Sequence, residues 1–174
     1  ELNLNDTQFS LLIGTPILTG SLVRLFLGIW ADQFGGRRVM LLVSLCAAAS
    51  TWMLTYAETY EMMLVTALGM GLSGGTFVVG IAYLSKWYSK DRQGIALGIF
   101  GMGNIGAAVT KFGAPFIMVA YGWHSVAQIW AVALAVTTIL WFLMTKDEPE
   151  LVERRRTGAP AKTTKMALAP LKKL

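Results

Sequence analysis

Five stretches of this 174-residue chain run for close to 20 residues with almost no charge, about the length a helix needs to cross roughly 30 Å of hydrocarbon. They cover residues 9–31, 39–56, 62–84, 94–120 and 126–145. Composition agrees: charged residues make up only 14%, against roughly 25% in a soluble domain, too few to cover a water-facing surface. The reading is an all-helical membrane protein of five transmembrane helices over residues 1–145, followed by a charged tail over 146–174 with no core of its own. Collagen, disordered and disulfide-built classes are excluded, and the single Cys46 lies inside an apolar run, where it reads as inert packing.

The net charge of +5 suggests nucleic acid only until the charges are sorted by position. Arg37 and Arg38, then Lys86, Lys90 and Arg92, then the tail from Lys146 to Lys173 all fall on one side of the alternating spans. The other side holds Glu1, Asp6, Glu58 and Glu61 and no lysine or arginine. Positive loops stay cytoplasmic, so the expected orientation places the N-terminus outside and the tail inside. Nucleic-acid binding is not expected. Trp30, Trp52, Trp87 and Trp123 sit near span ends, where amphipathic rings favour the interface.

Two cations remain inside the spans, Arg24 in the first and Lys111 in the fourth, with no Asp or Glu deep in any span. An unpaired intramembrane cation costs at least about 2.5 kcal/mol on insertion scales. Either the side chains snorkel to an interface, or they face a polar cavity whose counter-charge is a mobile anion. Arginine suits the second role, because its planar fork of N–H donors binds two oxygens of an oxyanion together. Asn104 and Lys111 are seven residues apart and share one helix face, so Lys111 would add to the positive field of any pocket that Asn104 lines. The only histidine, His124, falls at the outer mouth, and the spans hold no nucleophile–base pair or metal-ligand cluster. No enzyme activity, cofactor or metal is therefore expected.

The first basic loop reads Gly28-Ile29-Trp30-Ala31-Asp32-Gln33-Phe34-Gly35-Gly36-Arg37-Arg38. It resembles the G-x-x-x-D-x-x-G-[RK]-[RK] loop of major facilitator superfamily transporters, with Gly36 in place of the first basic residue. The resemblance implies a gating role for Gly28, Asp32, Gly35, Arg37 and Arg38, with Asp32 placed to cap a helix end or hold an arginine. Further on, the third and fourth spans are rich in glycine: Gly71, Gly74 and Gly75, then Gly94, Gly98, Gly101, Gly103 and Gly106. Gly71 with Gly75 and Gly94 with Gly98 show the G-x-x-x-G spacing of close helix packing in lipid.

The order of these elements resembles the nitrate/nitrite porter family within that superfamily: a glycine-rich stretch ending in Phe77, then Gln93-Gly94-Ile95-Ala96-Leu97-Gly98, Gly101-Met102-Gly103-Asn104-Ile105-Gly106 and Pro115. The resemblance implies that the five spans match the second to sixth of twelve helices, most of an N-terminal half, without the first helix and the C-terminal half. It also implies a multi-pass plasma-membrane protein that moves nitrate or nitrite by alternating access. Arg24 would bind the anion, Phe77 would pack over it and Asn104 would supply a polar pocket group; Lys111 belongs to no motif of the family. The chain departs from the family at Lys86-Trp87-Tyr88-Ser89, and also at the residue after Gly75 and at those following Phe77, which leaves nitrate versus nitrite open. The rival readings are the same fold carrying another small anion such as a carboxylate, and a non-transporting membrane module that binds a partner through its glycine faces.

Overall fold

A computed structural model of the chain describes residues 4–158; Glu1 and the tail lysines 162, 165, 172 and 173 lie outside the described residues. Eight α-helices follow in order: α1 (Asp6–Phe34), α2 (Gly36–Met53), α3 (Tyr60–Gly71), α4 (Thr76–Ser85), α5 (Lys90–Gly101), α6 (Ile105–Tyr121), α7 (Trp123–Met144) and α8 (Pro149–Thr157). There is no strand among the described residues. Short 3₁₀ turns at Leu54–Tyr56, Leu72–Gly75 and Met102–Asn104 extend α2, join α3 to α4 and join α5 to α6. The result is five continuous segments long and apolar enough to span a membrane: Asp6–Phe34, Gly36–Tyr56, Tyr60–Ser85, Lys90–Tyr121 and Trp123–Met144.

Each span begins before its apolar run does. The extra turns are polar: Asp6-Thr7-Gln8 opens α1, where the Asn5 side chain caps the Thr7 N–H and Gln8 reaches back to the Asn5 N–H. Hydropathy does not count such residues, yet they satisfy the orphan amides of the helix start. At its other end α1 runs on through Asp32 and Gln33 until Gly35, whose φ of +94° is a conformation open mainly to glycine.

The spans pack unequally. The first crosses the third closely at Gly20: a Cβ there would lie 2.9 Å from the Gly71 carbonyl oxygen and 3.4 Å from Gly74 Cα. Leu27, Ala31, Val39, Val43 and Val79 join α1, α2 and α4 in one buried cluster, and α7 lies along α2. The fourth span, by contrast, has no buried residue at all. It touches α4 near its start and α7 near its end, with the Trp130 indole N–H donating to the Thr110 hydroxyl at 3.0 Å. Cys46 is exposed on α2 rather than packed.

The tail differs from the sequence expectation. Residues 149–157 form α8, entered through Pro149 at its first turn and closed by Gly158 in the left-handed conformation. Leu151 is buried against Gly35, where any added Cβ would meet it. A charged stretch thus packs on the bundle through one leucine, which average composition does not reveal.

Candidate functional site

A cavity of about 540 Å³ opens between the first, third and fourth spans, lined by Arg24, Met40, Ser73, Gly74, Thr76, Phe77, Phe100, Gly103 and Asn104. Arg24 lies ten residues from the end of α1, or about 15 Å along the axis, half the thickness of a hydrocarbon core. Its Nη2 donates to the Gly74 carbonyl at 3.0 Å. That carbonyl belongs to the 3₁₀ turn between α3 and α4, where the backbone hydrogen bonds change pattern. Ser73 and Thr76 hydroxyls donate to the Met70 and Ser73 carbonyls at 2.7 and 2.6 Å, satisfying neighbouring acceptors of the same turn.

One guanidinium edge is thereby fixed to the backbone, and four of the five N–H donors of the group remain. Phe77 and Phe100 stack with ring centroids 5.2 Å apart and form an apolar wall. Gly80 makes this possible, since a Cβ there would run into the Phe100 ring. Asn104 ends the 3₁₀ turn Met102–Asn104 and lines the same cavity. The cavity is open, with Arg24 and Asn104 both exposed, and its lining holds one positive charge and no carboxylate. The cavity thus brings together a fork of cationic donors, a side-chain amide and an apolar aromatic surface.

Lys111 is not part of this lining. It borders a second cavity of about 500 Å³ with Thr51, Met70, Pro115, Met118 and Trp130. An ideal helix would put it on the Asn104 face, but seven residues also raise it about 10 Å along the axis, to the level of the second cavity. The glycines divide as well. Gly71, Gly74 and Gly75 are tightly packed against Pro16, Gly20 and Leu27, whereas a Cβ at Gly94, Gly98, Gly101, Gly103 or Gly106 would meet nothing within 4 Å.

The loop motif closes the basic face. Asp32 pairs with Lys86 at 3.0 Å, and Lys86 also reaches Glu148 at 3.7 Å, so the partner of Asp32 is a lysine and no arginine. Arg154 donates to the Asp32 backbone carbonyl at 3.3 Å. Arg37 pairs with Asp147 at 3.3 Å, donates to the Phe142 carbonyl at 2.7 Å and lies 4.2 Å over the Phe142 ring. Arg155 holds the other Asp147 oxygen at 2.9 Å. Burial pushes the Asp147 carboxyl up, but the hydrogen bonds and charges of Arg37 and Arg155 outweigh it and hold it below its ordinary range. Glu148 is buried, and its Oε1 accepts the Gly36 N–H at 2.7 Å. Gly36 leaves no space for a side chain, because a Cβ would sit 2.8 Å from that of Tyr83, which accounts for glycine where a basic residue is usual. Arg38 has no ion pair among the described residues, and Gly28 makes only ordinary contact with Val78.

The family model of the major facilitator superfamily matches residues 1–173. The chain belongs to the major facilitator superfamily. Among curated relatives it is 40% identical to the probable nitrate/nitrite antiporter NarK1 of Thermus thermophilus, over 82% of this chain and 35% of that protein. It is 33% identical to the nitrite extrusion protein of Bacillus subtilis, over 82% of this chain and 36% of the relative. It is also 34% identical to the probable nitrate/nitrite transporter NarK2 of Mycobacterium tuberculosis, over 86% and 38%. The chain therefore spans little more than a third of the length of these relatives. No solved structure gave a significant match.

In this superfamily segment Arg24, Phe77 and Asn104, singled out from sequence, line one cavity, and further contributors were missed, among them Phe100, the Gly74 carbonyl and the Ser73 hydroxyl. Phe100 lies four residues before Asn104, one helical turn away on the same face, and that spacing was a usable signal. The Gly74 carbonyl and the Ser73 hydroxyl carried none, because their placement depends on a 3₁₀ turn. Gln93 of the Q-G-x-A-L-G stretch gains a physical role: its side-chain amide donates to the Ser85 and Tyr88 carbonyls at 2.7 and 3.1 Å, closing the loop between α4 and α5.

Proposed function

We propose that the segment supplies the anion-binding wall of a transporter that moves nitrate, nitrite or both across the plasma membrane by alternating access. The basic face carrying Arg37, Lys86 and α8 is cytoplasmic in this reading, and the start of α1 lies outside. The missing first helix and a second half complete the cavity. Its principal support is the placement of one arginine at mid-membrane depth with an amide and a phenyl pair around it and no carboxylate. Arg24 grips the anion with two N–H groups, Asn104 donates a further hydrogen bond, and Phe77 with Phe100 excludes water. The names carried by the relatives favour nitrate and nitrite over other small anions.

The test is anion flux through the complete transporter with Arg24 changed to Lys, which keeps the charge and loses the fork. Flux should fall at least about tenfold, the equivalent of one charged hydrogen bond of roughly 1.5 kcal/mol. Unchanged nitrate and nitrite flux would sink the assignment. A competition panel of nitrate, nitrite, formate and oxalate separates the inorganic anions from carboxylates.

A further inference from the structure

The basic face carries a groove of about 720 Å³ that the anion cavity does not share, walled by Trp87, Lys146, Asp147, Val152, Glu153 and Arg156. The Lys146 ammonium and the Arg156 guanidinium have no hydrogen-bond or ion-pair partner among the described residues. Both Asp147 oxygens are already held, by Arg37 and Arg155. Counting these two with Lys146 and Arg156 gives four cations against two carboxylates, Asp147 and Glu153, a local surplus of two.

The vertical order of the surroundings is informative. Leu143 and Met144, at the end of the last span, are 72% and 81% exposed and finish the apolar band. Trp87, packed on Tyr83 with centroids 6.0 Å apart, comes at the same level as the groove, followed by the two unpartnered cations. A phospholipid has the same sequence of parts: acyl chains, a glycerol region where indole rings settle, then a phosphate.

We propose that this groove binds the headgroup of an anionic phospholipid, with Lys146 and Arg156 on the phosphate and Trp87 and Val152 against the glycerol end. The cytoplasmic leaflet is the source, which rests on the orientation proposed above. A free phosphate ion would gain only the two cations, whereas a lipid also covers the indole and the exposed end of α7.

The test uses the complete transporter in nanodiscs, with phosphatidylglycerol titrated into phosphatidylcholine and bound lipid read by native mass spectrometry. Lys146→Gln and Arg156→Gln should each weaken phosphatidylglycerol retention about fivefold and together about thirtyfold, at the usual worth of one cation near an anionic headgroup. Glu153→Gln should tighten it, and Arg156→Lys should restore most of it. Equal retention by the double variant would overturn the proposal. So would competition by inorganic phosphate at the concentration of the lipid, or wild-type protein that retains phosphatidylethanolamine over phosphatidylglycerol and loses that preference in Glu153→Gln, since the Glu153 carboxylate would hold the ammonium. Both leaflets of a nanodisc are identical, so this result is independent of orientation, which protease access to α8 in sealed vesicles measures separately.

Discussion

Glu148 offers a graded test of how α8 is held to the bundle. Its side chain is 1% exposed, accepts the Gly36 N–H at 2.7 Å through Oε1, and lies 3.7 Å from the Lys86 ammonium. At an effective dielectric of about 20 the charge attraction at that distance amounts to about 4 kcal/mol. Burying the carboxylate costs several kcal/mol in return, and its Oε2 has no hydrogen-bond partner. Lys86 keeps Asp32 at 3.0 Å whatever happens at position 148. The charge therefore nearly cancels against its own desolvation, and the backbone hydrogen bond carries the net effect. Glu148→Gln preserves an acceptor for Gly36 and should change stability by less than about 1 kcal/mol. Glu148→Ala strands the Gly36 N–H and removes the side chain that fills the joint, a loss of about 2–4 kcal/mol. Thermal unfolding of the complete transporter in nanodiscs would register the second variant as a fall of about 2–5 °C and the first as little change. Equal falls would refute the cancellation and show that the ionic term dominates.

Two further outcomes follow from the same geometry. Gly20→Ala places a Cβ 2.9 Å from the Gly71 oxygen, so α1 must retreat from the third span by roughly 0.5 Å to reach ordinary contact; that overpacking costs about 1–3 kcal/mol, lowers the melting temperature and stretches the Arg24–Gly74 bond toward 3.5 Å or so, where it weakens. Asp147 gives the acid limit. Its folded pKa is depressed, so its contribution is fully present above the unfolded value of about 3.9 and is lost as pH falls through the lower folded value; a melting-temperature profile should be flat near neutrality and drop in the acid range, with Asp147→Asn showing a smaller drop.

Much of the fold was legible because lipid leaves few choices. A run of 20 apolar residues must satisfy its own backbone bonds, and the spans appear where hydropathy puts them, with polar end turns added. The grouping of Arg24, Phe77 and Asn104 was legible from the residue order shared with a known family, with the cost of an unpaired cation as the physical reason to look there. Other features were hidden for definite reasons. Lys111 follows Asn104 at a same-face spacing, but the rise of about 10 Å along the axis takes it to another cavity. The G-x-x-x-G spacings at Gly71 and Gly94 look alike in sequence; only the first has a close neighbour among the described residues, since spacing states that an approach is allowed and not what approaches. Leu151 was submerged in a charged tail because one buried leucine does not alter an average.

The two 3₁₀ turns beside Arg24, at Leu72–Gly75 and Met102–Asn104, have a mechanical consequence. Tighter turns with poorer hydrogen-bond geometry are the softest points of a long helix. Both long wall helices are therefore most easily bent at the depth of Arg24. The half of each wall above Arg24 can tilt without dragging the half below, so one end of the cavity can narrow while the other keeps its shape.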